Sequence, residues 1–138
     1  MSYLLDTNVV SELRKPFARS DAHVRGWVSE RHPDELYLAA MTIFQVELGI
    51  ARVERRDSAL GLRLRAWLED DLIDAFAGRI LPIDTAVARR AARLHVPDPR
   101  PERDALIAAT ALVNGLTVVT RNSGDFDPMG VAVVNPWG

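Results

Sequence analysis

The sequence predicts an α/β domain with a central, mainly parallel five-stranded sheet between helical layers, and three observations predict it. Short, continuous apolar runs recur along the chain, as strands buried on both faces require. Amphipathic stretches at helical period separate them, and this strand–helix alternation is the order that builds a parallel sheet. The chain has 138 residues, 48% of them hydrophobic. That suits one domain over residues 1–138, able to bury about 68–70% of its unfolded surface.

Ser2–Leu5 is the first strand, stopped by Asp6-Thr7-Asn8, where Asp6 is placed to cap the helix that follows. That helix covers Val9–Arg14 and ends at Pro16. Asp21 caps a second helix to about Glu30, and a loop at Arg31–Asp34 leads into a strand at Leu36–Ala39. Thr42 and Gln45 form a capping box, predicting a helix from Thr42 to about Arg55. Ser58 opens a longer helix whose apolar side carries Leu60, Leu64, Trp67, Leu68 and Phe76. Ile80–Ile83 is a third strand, and Pro82 places it at an edge. Asp84 caps a helix to about Leu94, and Pro97–Pro101 must be a loop. Glu102–Asn114 is a helix stopped by Gly115, followed by strands at Leu116–Thr120 and Val131–Val134.

Composition excludes several functions. There are no cysteines, so disulfides, thiolate metal sites and cysteine nucleophiles are ruled out. No apolar run approaches the roughly 20 residues of a membrane helix. Met1–Asp6 lacks the basic start of a signal peptide, so the cytoplasm is the expected compartment. Nucleotide-binding glycine loops and serine elbows are absent. His23, His32 and His95 lie on separate elements without ligand spacing. The net charge is −2, yet Lys15 is the only lysine among 17 basic residues. Arginine is the side chain suited to bidentate phosphate contacts.

Ligands of open parallel sheets gather at the carboxyl ends of the strands. Asp6 ends the first strand, and Asp104 lies in the first turn of its helix with apolar Ile107 and Ala108 at i+3 and i+4. Asp125 follows the fourth strand, with Asp127 as its competitor. Glu47 has Ile43, Phe44, Ile50 and Ala51 as its helical neighbours, so it is expected to face the sheet. A carboxylate buried there needs a cation, either an arginine or a metal ion. Four clustered carboxylates suit a hard divalent ion, Mg²⁺ or Mn²⁺.

The run Leu4-Leu5-Asp6-Thr7-Asn8-Val9-Val10-Ser11-Glu12-Leu13 resembles the first motif of the PIN-domain family, specifically VapC-type toxins of bacterial toxin–antitoxin systems. Thr42–Ile50 resembles the second, Asp104–Ala111 the third, and Thr120-Arg121-Asn122 with Asp125-Phe126 the fourth. The resemblance runs over nearly the whole chain, in family order. It implies a PIN-like α/β/α sandwich with Asp6, Glu47, Asp104 and Asp125 as the catalytic acids. Asp6 and Asp104 would be the direct metal ligands, with Thr120 and Asn122 positioning water or substrate. It further implies Mg²⁺-dependent endoribonuclease activity on RNA, a cognate VapB-type antitoxin and a homodimer whose faces are apolar helix surfaces around Trp27 and Val28. The alternatives are a catalytically silent module that binds nucleic acid or a partner protein, and a DNA-directed nuclease. A receiver-like domain would need a late lysine, and a haloacid-dehalogenase-like phosphatase a second acid where Asn8 stands.

Overall fold

The computed structural model describes residues 1–138. In chain order the elements are β1 (Tyr3–Leu5), α1 (Thr7–Arg14), α2 (Ala22–Ser29), β2 (Leu36–Ala39), α3 (Ala40–Arg56) and α4 (Ser58–Ala66). A π-helical turn (Trp67–Leu72) and α5 (Ile73–Ala75) continue α4. Then come β3 (Ile80–Leu81), α6 (Thr85–Leu94), α7 (Glu102–Asn114), β4 (Thr117–Val119), α8 (Ser123–Phe126) and β5 (Val133–Val134).

The five strands form one sheet in the order β3-β2-β1-β4-β5, and every pairing is parallel. The expected mainly parallel sheet is thus wholly parallel, with β3 at the edge where Pro82 predicted it. The strands are shorter than their apolar runs because residues such as Leu116 and Val131 continue the core beyond the last ladder hydrogen bonds.

Pleating sends alternate residues of β1 to opposite faces. Tyr3 and Leu5 join Val9, Val10, Val24, Val46, Ile50, Leu68 and Leu72 on one side. Leu4 joins Ala105, Ile107, Ala108, Val118 and Phe126 on the other. Leu4 and Leu5 are both completely buried, each stabilising the fold by about 1.5–3 kcal/mol. α6 covers the outer side of α7 through Val87, Ala91 and Ala109. Gly115 caps α7 with φ of 69°, the left-handed stop expected there.

Two local expectations are corrected. α3 begins at Ala40 directly from β2, without a side-chain cap, so Thr42 lies inside the helix, fully buried, and not at its cap. The long helix from Ser58 is interrupted by the π-helical turn, which brings both Leu68 and Leu72 into the core. Trp27, Val28, Ile43, Leu64, Trp67 and Phe76 pack against the first core cluster. All six keep part of their surface exposed, Trp67 and Phe76 along an apolar groove with Leu13. Trp27 stands edge-on to Tyr3 with ring centroids 4.9 Å apart.

Candidate active site

With this strand order the topological switch falls between β1 and β4, which are neighbours in the sheet although far apart in sequence. Helices leave those two strands in different directions, opening a crevice at their carboxyl ends. Asp6 follows β1 and Thr120 follows β4. Backbone hydrogen bonds from Asp6 N–H to the Val119 carbonyl and from Thr120 N–H to the Val134 carbonyl, each 2.9 Å, hold the two residues in the sheet.

Asp6 is only 6% exposed. Its Oδ1 accepts the Thr7 N–H at 2.7 Å, capping α1, and its Oδ2 accepts the Thr120 hydroxyl at 2.8 Å. The Thr120 oxygen in turn accepts the Asn8 side-chain amide at 3.1 Å and the Asn122 backbone N–H at 3.0 Å. With both acceptor positions filled, its single proton is directed at Asp6. Asn8 also accepts the Arg121 N–H at 3.3 Å, tying the loop after β4 to α1.

Desolvation by burial pushes the Asp6 carboxyl above the ordinary carboxylate range, against the bonds from Thr120 and Thr7, with the Asp125 charge adding to the rise. Asp104, half-buried in the first turn of α7, is raised by desolvation and then by the charges of Asp6 and Asp125. Asp6 therefore senses Asp125, and Asp104 senses both. Asp125 acts on both of the others, whereas Asp127 is not among the charges that shift either. Phe126, fully buried in the second core cluster, anchors α8 and so fixes its neighbour Asp125 near the crevice.

Asp6, Thr7, Asn8, Ser11, Glu12, Lys15, Gln45, Asp104 and Asn122 line a cleft of about 410 Å³ that has no hydrophobic wall residue. At one end Glu12 accepts the Lys15 ammonium and the Asp21 N–H, both at 2.9 Å. Those bonds, the Lys15 one first, hold Glu12 below the ordinary carboxylate range. Glu12 thereby joins α1 to the start of α2.

Glu47 corrects the expectation made for it. It is exposed and makes an ion pair with Arg65, which also bonds Glu54 at 2.9 Å. The guanidinium is pushed up by these bonds, Glu54 first, and Glu54 is held low by the same contact. The stripe of α3 that faces the core is Met41, Thr42, Val46 and Ile50, and Glu47 lies one position beyond it. The residue that α3 sends to the cleft is Gln45, whose side-chain oxygen accepts the Thr7 hydroxyl. Reading Gln45 as half of a capping box hid it. Its place in the second turn of the helix that leaves a strand's carboxyl end was the available signal.

The four acids consequently do not converge, and no three His, Asp or Glu side chains stand close enough to enclose a metal ion. Mg²⁺ does not require such a cage, because it is usually held through one or two carboxylates and keeps several waters. Two desolvated acids, Asp6 and Asp104, in a wholly polar cleft fit that donor chemistry. No helix is long and apolar enough to cross a membrane.

A PIN-domain family model matches residues 3–130. Toxin FitB of Neisseria gonorrhoeae is 39% identical over 140 residues, covering 97% of both chains. VapC ribonuclease Y4jK of Sinorhizobium fredii is 34% identical over 139 residues, covering 97% of this chain and 96% of that protein. The crystal structure of FitAcB from Neisseria gonorrhoeae matches with a TM-score of 0.89 at 36% identity, covering 98% of both chains. Its sheet and helical layers agree with the α/β architecture read from the sequence. The motif resemblance is borne out: the chain belongs to the PIN-domain family.

Proposed function

We propose that this chain is a Mg²⁺- or Mn²⁺-dependent endoribonuclease toxin, restrained by a cognate VapB-type antitoxin. The observation that carries the reading is the pair Asp6 and Asp104, desolvated together in one polar cleft at the switch point of the sheet. Similarity to a toxin and to a VapC ribonuclease supports it over nearly the full chain.

Asp6 and Asp104 would hold the ion. When bound, it would supply activation of water and stabilisation of charge at the phosphate. The chain's own residues do the rest. Thr120, oriented by Asn8 and the Asn122 amide, fixes the rotamer of Asp6 and keeps one carboxylate oxygen occupied by a proton donor. Asp125 adds negative potential that favours a cation between the acids. Lys15 lines the cleft and can meet a phosphate oxygen, while Asn122 and Gln45 offer amide contacts to substrate or water.

The test is cleavage of single-stranded RNA, single-stranded DNA and duplex in Mg²⁺, Mn²⁺ and EDTA. Metal-dependent cutting of RNA that the co-expressed antitoxin suppresses is the expected result. Binding without cutting would instead establish a silent nucleic-acid-binding module, and preference for DNA a deoxyribonuclease.

The ion pair of Glu47 yields a sharper expectation. Glu47→Gln should leave the cleavage rate within about twofold of wild type, because the exposed pair lies off the cleft and adds little to stability. Steady-state rates on one RNA oligonucleotide check this. A loss of orders of magnitude would return Glu47 to the catalytic acids.

A further inference from the structure

We propose that Phe44 and Arg103 form a stacking platform for one unpaired nucleobase of an RNA strand lying across the acidic cleft, an inference that rests on the ribonuclease reading above. Phe44 is 53% exposed although it lies in the first turns of α3, beside Ile43, which packs on the core. The Arg103 guanidinium lies over its ring, 5.6 Å from the centroid. Glu102 and Asp104 flank Arg103 in the chain, yet it reaches across to an aromatic ring on another helix.

Position gives the pair its meaning. Each member is the chain neighbour of a residue that lines the cleft: Phe44 precedes Gln45, and Arg103 precedes Asp104. α3 and α7 pack against each other, so the pair bridges them beside the cleft. A strand lying along the cleft would pass beside this pair and could lay one of its bases on it.

The chemistry matches a base better than an apolar protein face. Single-stranded RNA is recognised by stacking its splayed bases on aromatic rings or guanidinium planes. Phe44 supplies a π-face and Arg103 a planar cation, which adds cation–π attraction and a partner for phosphate. The cleft wall beside them is wholly polar, and Phe44 lines neither of the apolar grooves around Trp67. Stacking tolerates every base, so the platform would position the strand near the cut with weak sequence preference.

The test uses the full chain and single-stranded RNA carrying 2-aminopurine at successive positions, titrated in EDTA so that nothing is cut. Wild type should quench one position, and Phe44→Leu should lose that quench and bind about 10-fold more weakly. Phe44→Trp should restore both. In Mg²⁺, Phe44→Leu should raise KM by the same factor with kcat unchanged, as expected for binding lost equally in ground and transition states. An abasic residue at the quenched position should abolish the difference between the two proteins.

Equal quenching and affinity in wild type and Phe44→Leu would overturn the platform while leaving the ribonuclease reading intact. A variant that changes from dimer to monomer in light scattering, with RNA affinity unchanged, would overturn it in favour of a contact between two copies. Should the wild type cut no RNA, the ribonuclease reading fails on its own. The EDTA titration still decides the platform, since a quench lost in Phe44→Leu supports it and no quench in wild type overturns it.

Discussion

Asp6→Asn is expected to abolish RNA cleavage while leaving the chain folded. The substitution keeps the shape of the side chain, and its amide oxygen can still accept either the Thr7 N–H or the Thr120 hydroxyl. What disappears is the negative charge in the most desolvated acid of the cleft. If Asp6 holds the ion, activation of water and charge stabilisation are lost together, a decrease of orders of magnitude in rate. Thermal melting within a few degrees of wild type, alongside undetectable cleavage, is the outcome that fits. Full Mg²⁺-dependent activity in the folded variant would remove Asp6 from the site.

Asp104→Asn should separate stability from metal binding. Desolvation and the charges of Asp6 and Asp125 raise the Asp104 carboxyl above its ordinary value of 3.8. Between 3.8 and the raised value the folded chain binds more protons than the unfolded one. Stability therefore falls as pH rises through that window, and at neutral pH the ionised group is a burden on the metal-free fold. Removing the charge should let the variant melt at or above wild type in EDTA at neutral pH. Its advantage should shrink as pH falls through the window. A divalent ion that binds only the folded state at 100 times its Kd adds about 2.7 kcal/mol, roughly 10 °C in Tm for a domain of this size. Wild type should show that rise in Mn²⁺ and Asp104→Asn little of it. If the two proteins respond equally to Mn²⁺, Asp104 serves only as an acid at the start of a helix.

Much of this was legible because it depends on residues close together in sequence. Asp6 caps α1, Asp21 caps α2 and Asp84 caps α6, as their polar side chains before apolar periods predicted. Gly115 stops α7 for the same local reason, a backbone conformation that glycine adopts without strain. The position of the cleft also followed from sequence, since alternating strands and helices oblige a parallel sheet to place its ligands at the strands' carboxyl ends.

Glu47 shows where such reasoning stopped. Its four helical neighbours are apolar, but Phe44 and Ala51 are exposed and only Ile50 is fully in the core. An apolar residue can stand at the surface of a helix at little cost, so periodicity alone misjudged the inward side by about one residue. The partner that claims Glu47, Arg65, sits on the next helix, and only the packing of α3 on α4 brings them together.

The sequence by itself determined the alternation of elements, the helix caps and the two acids at the ends of β1 and the start of α7, because propensity, capping and hydrophobic period act over a few residues. Only the tertiary structure decided that β4 lies beside β1, so that Thr120 donates to Asp6 across 114 residues of chain. It also decided that Gln45 and not Glu47 enters the cleft, and that Arg103 lies over Phe44. Those outcomes depend on the rotation of one helix against another, which is set by the fit of buried side chains across the whole core.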